Sequence, residues 1–109
     1  MILAASAEVA GHRVTRSLGL VYGNTIRARH VGRDILAGLK NLVGGEIQDY
    51  TKMMAESREQ ALDRMVASAT RLGANAVINV RFSTSYIMQS ASEILVSGDA
   101  VILEPTTSE

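Results

Sequence analysis

Gly73-Ala74-Asn75 is the stretch that decides the fold, because the spacing of the apolar residues changes across it. From about Glu46 to Leu72 the apolar residues recur at helical spacing, which predicts one long amphipathic helix. Gly73 is the residue type expected at the end of such a helix. The segment from Ala76 to Phe82 predicts a buried strand that continues to about Met88. The sequence therefore predicts a long helix that leads directly into a sheet.

The alternation of residue types predicts further strands and their faces. Residues 2–4 could form a short strand. A longer strand starts at Val14, is interrupted by a bulge or turn at Gly23-Asn24 and resumes from Thr25 to Arg29. One predicted face of this long strand carries Val14, Arg16, Leu18, Leu20 and Tyr22. In the strand after Gly73, one predicted face carries Ala76, Ile78, Val80 and Phe82, and the other carries Asn79, Arg81 and Ser83.

The last predicted strand runs from Glu93 to Glu104, after a turn at residues 89–92, and part of it is apolar on both faces. That part is Ala100-Val101-Ile102-Leu103. A strand of this kind is usually covered on both sides. One layer of helices covers only one side, so a second subunit is the expected cover of the other. Gly98 interrupts the strand, as a bulge or as a site of close approach.

A second helix is predicted before the long one, from about Asp34 to Val43, and Gly44-Gly45 separates the two. The predicted order is therefore β-α-α-β-β. This is an α+β fold in which helices cover one side of an antiparallel sheet, as a two-layer α/β sandwich. Residues 1–105 are expected to form a single domain, followed by a polar tail at residues 106–109.

The composition excludes several kinds of chemistry and favours self-assembly. The 109 residues include no cysteine, which excludes disulfides, thiolate metal sites and a cysteine nucleophile. The chain is 47% hydrophobic but only 4% aromatic. A chain this short builds a modest core, so surplus apolar residues are expected between subunits of a homo-oligomer. No signal peptide or membrane-spanning stretch is recognised, so we expect a cytoplasmic protein with no membrane partner.

The net charge is zero, and no nucleic-acid partner is expected. The charge is nevertheless divided unevenly. Residues 1–45 hold six basic and two acidic residues, and residues 46–109 hold five basic and nine acidic residues. Either the basic part faces the acidic helix, within or between subunits, or it forms an anion-binding patch. A nucleotide or nucleic-acid binder would use Arg13, Arg16, Arg27 and Arg29.

The spacing of the residues predicts neither a catalytic site nor a metal site, and no cofactor is evident. His12 and His30 have no metal-binding spacing, and no serine lies in a nucleophile motif. An enzyme that uses carboxylates and tyrosine is therefore the less favoured hypothesis, beside a metal-binding protein. The favoured one is a homo-oligomer that binds a small ligand or ion where subunits meet. Candidate ligand-binding residues lie at the ends of the long helix and in the strands after it: Glu46, Tyr50, Arg58, Asn75 and Glu93.

Each of three candidates has a side chain suited to a different kind of contact. Glu46 could ligate a cation, Tyr50 could form a hydrogen bond or stack, and Arg58 could pair with an anion. All three residue types also have ordinary structural roles in helices, such as capping and ion pairing.

The segment Gly44-Gly45-Glu46 with Tyr50, followed by Gly73-Ala74-Asn75-Ala76-Val77, resembles the signature of the YbjQ-like family of small bacterial and archaeal proteins. The resemblance implies a dodecin-like subunit that assembles into a ring-shaped pentamer with the help of short extra strands. It also implies a metal ion as a ligand, through the family's label of heavy-metal binding. Where the family usually has Gly-Thr-Ala-Val, this chain has Gly98-Asp99-Ala100-Val101, which places an acid in the core or at an interface.

Overall fold

A computed structural model of the chain describes residues 1–28, 45–88 and 91–106. For residues 27–28, 45–51 and 87–88 it describes the backbone alone. The helix predicted from Asp34 to Val43 and the tail beyond Thr106 lie outside the described residues.

Four strands and one helix make up the described part of the chain. They are β1 (Ile2–Leu3), β2 (His12–Ala28), α1 (Gly45–Arg71), β3 (Ala76–Met88) and β4 (Ala91–Pro105). In the sheet the strands lie in the order β1-β3-β4-β2. Strand β4 is antiparallel to both of its neighbours, β2 and β3, as predicted. Strand β1 is parallel to β3, which makes the sheet mixed. The α+β class and the direct passage from helix to strand are confirmed.

Helix α1 lies close against β2 because small residues meet there. Ala61, Met65 and Ala69 follow one another at four-residue spacing and are fully buried. A Cβ on Gly23 would lie 2.6 Å from the amide nitrogen of Met65. The predicted interruption of β2 at Gly23-Asn24 is therefore wrong, since this glycine serves the approach of the helix and the strand continues through it. The strand residues of this core cluster are Val21, Val77, Ile94, Val96 and Ala100.

Two irregularities in β2 move side chains from one face of the sheet to the other. The pairing with β4 shifts between Val14 and Arg16 and again between Ser17 and Gly19. A bulge of this kind adds a residue to one strand without a partner on the other. Leu18 consequently packs against the core beneath α1, whereas Leu20 lies on the opposite face. The predicted common face is therefore wrong for Arg16 and Leu18.

A similar bulge inverts the second half of β3. The pairing with β4 shifts between Ile78 and Arg81, and Asn79 has a φ of 55°. Val80 therefore packs against the core beneath α1, while Ile78 is buried on the other side of the sheet. The predicted alternation of β3 is wrong beyond Ile78, because the bulge changes which residues share a face.

Gly98 of β4 lies opposite this bulge. A Cβ on Gly98 would lie 3.0 Å from the carbonyl oxygen of Ile78, which is closer than nearly all such contacts. The sequence-based alternative of close approach is thus the correct one for Gly98. Gly73 has a φ of 86° and ends α1 in the left-handed conformation, as predicted.

The side of the sheet away from α1 is covered at one end by the N-terminal segment, residues 1–11. Ala4 and Val9 pack against a second buried cluster, and the backbone amide of Val80 donates to the carbonyl oxygen of Ala4 at 3.0 Å. The cluster consists of Ala76, Ile78, Val101 and Leu103. The prediction that a second subunit covers the Ala100–Leu103 run is therefore wrong, because the chain covers it itself.

The molecule is elongated, with extents of 65 × 23 × 18 Å and a Cα radius of gyration of 18.1 Å. A compact domain of this length has a radius of gyration of about 13 Å. Long strands account for this shape, since β2 alone has 17 residues. In the part of the chain that is described, no helix is long and apolar enough to cross a membrane.

Candidate functional site on the open face of the sheet

Beyond the N-terminal segment, the side of the sheet away from α1 presents an exposed surface, which we call the open face. Residues directly opposite each other in an antiparallel pair point to the same side. Leu20 pairs with Asp99, Tyr22 with Ser97 and Ile26 with Glu93. The open face therefore has mainly apolar side chains along β2, with Asn24 between Tyr22 and Ile26, and mainly polar ones along β4, with Leu95 opposite Asn24.

The apolar strip of the open face consists of Leu20, Tyr22 and Ile26. Their exposed fractions are 69%, 61% and 59%. Asn24 shares their face, whereas alternation along β2 turns Val21 and Thr25 into the core beneath α1, where both are only 3% exposed. A row of three large apolar side chains on one strand is the type of surface that marks an interaction site.

Two carboxylates mark the two ends of the apolar strip, and each accepts a hydrogen bond from an asparagine. Nδ2 of Asn79 donates to Oδ2 of Asp99 at 2.9 Å. Nδ2 of Asn24 donates to Oε2 of Glu93 at 3.0 Å. An ionised carboxylate offers about four acceptor positions, so each group can accept further hydrogen bonds or a cation.

Arg81 lies between these carboxylates on β3 but is bound to the N-terminal segment. Its Nη1 donates to the carbonyl oxygen of Ala5 at 2.6 Å and to that of Val80 at 2.9 Å. The guanidinium therefore fixes the segment against the sheet. An exposed ion pair joins Arg13 and Glu104 at 3.7 Å, away from the open face.

The structure does not bring the predicted ligand-binding residues together in one site. Glu46 lies in the first turn of α1 and Asn75 follows its last turn, so about 40 Å of helix separates them. Arg58 is exposed on the middle of α1. Glu93 belongs to the open face. For Glu46 and Tyr50 only the backbone is described.

Asn75 has a structural role that explains its place beside Gly73. Its Nδ2 donates to the carbonyl oxygen of Leu103 at 2.9 Å, and the amide of Leu103 donates to its Oδ1 at 2.8 Å. The side-chain amide thus continues the hydrogen-bonded ladder of β3 and β4 before β3 begins.

Sequence reasoning did not single out the apolar strip, although it placed Leu20 and Tyr22 on one face. The available signal was the length of the strand. The face away from α1 is covered only as far as residues 1–11 reach, and the 17 residues of β2 extend about 56 Å at strand spacing.

His12 is the described residue best prepared for a metal. Its Nδ1 lies 3.0 Å from the carbonyl oxygen of Ala10, and a backbone carbonyl bonded to one ring nitrogen orients the other for a ligand. Glu8 lines the same surface depression. Among the described residues, no three histidine or carboxylate side chains converge as a metal site would require. A soft metal also prefers thiolates, which this chain lacks.

A family model described as "Putative heavy-metal-binding", YbjQ_1, matches residues 1–104. The chain belongs to this family. The resemblance found in the glycine-rich signature segments is thereby confirmed. The description of metal binding belongs to the family model. Within one copy of this chain, the described residues supply fewer converging ligands than a heavy-metal site needs.

Relatives in the family cover nearly the whole chain. A UPF0145 protein of Dehalococcoides mccartyi is 59% identical over 104 residues, which are 95% of this chain and 100% of that one. A UPF0145 protein of Acinetobacter baylyi is 58% identical over 95 residues, covering 87% of this chain and 88% of that one. A third, from Archaeoglobus fulgidus, is 53% identical over 103 residues, covering 94% and 95%. The family thus includes both bacterial and archaeal proteins.

A crystal structure of a Pediococcus pentosaceus protein with unknown function, which belongs to the DUF74 family, has the same fold. The TM-score is 0.65 at 13% sequence identity, and the match covers 95% of this chain and 98% of that one. At this identity the likeness concerns the fold alone.

Proposed function

We propose that the protein is a non-enzymatic homo-oligomer that assembles through the apolar strip of the open face and binds a small ligand or ion where its subunits meet. The observation that carries the proposal is the exposure of Leu20, Tyr22 and Ile26 in one row. Their exposed fractions are near three-fifths, so burial in an interface contributes about 1–2 kcal/mol for each side chain. A second copy is the natural occupant, because the chain's small core leaves a long sheet partly uncovered.

The form of assembly that we propose is a closed ring, and a pentamer is the size that the YbjQ-like resemblance implies. The extra short strand of that resemblance corresponds to β1, which here pairs with β3 of its own chain. The elongated shape supports assembly, since a chain that is 65 Å long buries less of its own surface than a compact one.

The ligand in this proposal is positively charged. Asp99 and Glu93 lie opposite Leu20 and Ile26, so a subunit that covers the strip encloses both carboxylates. Each carboxylate has one asparagine partner that fixes its direction. A small cation, or a cationic group of the neighbouring copy, would occupy the acceptor positions of each carboxylate that the asparagine leaves free.

Assembly is tested with Tyr22→Arg, which places a charge in the middle of the strip. Sedimentation equilibrium at micromolar concentration should show an oligomer for the natural chain and a monomer for this variant. Leu72→Arg is the matched control, because Leu72 is also exposed, at 48%, but lies after α1. A natural chain that sediments as a monomer would refute the proposal. So would a Tyr22→Arg variant that assembles as well as the control.

Metal binding between copies is the second candidate, and the orientation of His12 is the observation that favours it. A site shared by several subunits would combine one ring nitrogen from each with further ligands. Titration calorimetry with zinc, copper and nickel tests this on the assembled protein. His12→Gln should abolish the heat of binding and His30→Gln should leave it unchanged. Equal heats for both variants would exclude His12 as a ligand.

A further inference from the structure

We infer that the copy that covers the apolar strip does so with a second, different surface, the aromatic pair Phe82 and Tyr86 on β3. The contact is then head-to-tail, with the open face of one copy against the helix side of β3 in the next. This inference rests on the proposed self-assembly and names the partner surface within it.

The aromatic pair lies on the same side of the sheet as α1 but beside the helix. Phe82 pairs with Val96 and Tyr86 with Ser92, and Val96 is fully buried beneath α1. Residues directly opposite each other share a face, so both aromatic rings project to the helix side. Phe82 is nevertheless 48% exposed and Tyr86 79% exposed. Large aromatic side chains this open are typical of interface residues.

The position of α1 explains why the pair is exposed. The helix lies over β2, where Gly23 allows its close approach and Oγ1 of Thr25 donates to the carbonyl oxygen of Ser57 at 3.1 Å. Nη1 of Arg64 donates to the carbonyl oxygen of Asn24 at 2.6 Å, which also joins the helix to β2. The helix is therefore displaced toward β2, and the distal half of β3 extends beside it.

Two exposed apolar surfaces on opposite faces of one sheet favour a head-to-tail contact. A two-fold contact pairs a surface with itself, so it would cover the strip and leave the aromatic pair in water. A contact between unlike surfaces covers both on every subunit, provided that the assembly closes into a ring.

The accessible area of the chain is larger than that of a compact monomer of the same mass. The chain has an accessible surface of 7464 Å². A folded monomer of this mass is expected to expose about 5,900 Å². The excess is about 1,600 Å², and a standard interface removes about 800 Å² from each partner. The elongated shape of the chain contributes to this excess, which leaves enough surface for the two interfaces that a subunit in a ring forms.

The charges beside the two surfaces are complementary. Asp99 and Glu93 mark the ends of the apolar strip. Arg58 is exposed on α1 and lies about 100° around the helix from Ser57, so it is turned away from the side on which Ser57 and Arg64 meet β2. A head-to-tail contact thus brings a guanidinium of one copy toward carboxylates of the next, which favours this register.

Mixing two assembly-defective variants tests the inference. Tyr22→Arg damages the strip and Tyr86→Arg damages the aromatic pair, so each variant alone should be a monomer. In an equimolar mixture, the intact strip of one variant can bind the intact aromatic pair of the other. Native mass spectrometry should then show a heterodimer of about twice the 11.7 kDa chain mass and no larger species. Far-UV circular dichroism of each variant checks that it is folded.

The other outcomes distinguish the absence of self-assembly from assembly through a different pair of surfaces. A natural chain that is a monomer refutes self-assembly itself. A natural oligomer whose two variants remain monomers when mixed refutes the head-to-tail contact, since a two-fold interface cannot be restored by mixing. A Tyr86→Arg variant that assembles like the natural chain refutes the role of the aromatic pair. Leu20→Glu with Phe82→Glu provides a second pair of variants if either arginine variant fails to fold.

Discussion

At the residue scale, Asn75 shows how a residue from the family signature can be explained by structure. Its side chain forms two hydrogen bonds with the backbone of Leu103, and its own amide donates to Val101 at 3.2 Å. Three bonds from one residue join the end of α1 to β4. An asparagine is suited to this place because its amide group both donates and accepts, as a backbone peptide does.

Replacing Asn75 should lower the free energy of unfolding in both of two variants. Asn75→Ala removes both side-chain bonds and leaves two backbone groups of Leu103 unpaired, at a cost of about 1–3 kcal/mol. Asn75→Asp still accepts from the amide of Leu103 but directs a carboxylate oxygen at its carbonyl oxygen, so near neutral pH it should lose at least as much. Urea denaturation measures both values. A free energy of unfolding unchanged in Asn75→Ala would contradict the structural role.

At the scale of elements, the N-terminal segment does what a second layer of helices does in larger folds. It covers an apolar end of the sheet with Ala4 and Val9 and is fixed by Arg81 and by the backbone of Asn79 and Val80. The bulge at Asn79 makes this possible, since it turns two successive amides outward to the carbonyl oxygens of Ser6 and Ala4. The cover that the N-terminal segment provides and the bulge at Asn79 therefore depend on each other.

Val9→Asp tests this cover. The variant places a carboxylate over the cluster that contains Val101 and Leu103, so the free energy of unfolding should fall by about 2–3 kcal/mol. Ala7→Asp is the control, because Ala7 is exposed in the same segment. The exposed cluster should also bind a hydrophobic dye in the Val9→Asp variant. Equal stability of the two variants would show that the segment does not cover the sheet.

At the scale of the whole molecule, the sequence predicted what depends on local spacing. Helix α1 and its end at Gly73 follow from periodicity and from one residue's conformation, and β4 was predicted to within two residues, although Ala91 and Ser92 were assigned to the turn before it. The faces of β2 and β3 did not, because each bulge depends on the partner strand and reverses every residue after it. The cover over Val101 comes from residues more than 90 positions away, and no local pattern indicates such a contact. The limited reach of the same N-terminal segment leaves Leu20 and Tyr22 exposed on that face.

Self-assembly of the whole molecule also predicts a stability that depends on protein concentration. In a pentamer that unfolds as it dissociates, a tenfold rise in concentration adds about 1.1 kcal/mol to the free energy of unfolding per chain, four-fifths of the value for a simple binding step. For a domain of this size, that difference raises the melting temperature by about 4–8 °C.

Differential scanning calorimetry at two concentrations that differ tenfold measures this effect, with a second scan of each sample to check that unfolding is reversible. The melting temperature of the natural chain should rise with concentration. Tyr22→Arg should melt lower and at the same temperature in both samples, because a monomer unfolds without dissociating. A rise about five-eighths as large, which corresponds to half the value for a simple binding step, would indicate a dimer and would favour a two-fold contact through the strip over a ring. A natural chain with no shift would mean that the exposed strip remains in contact with water at these concentrations.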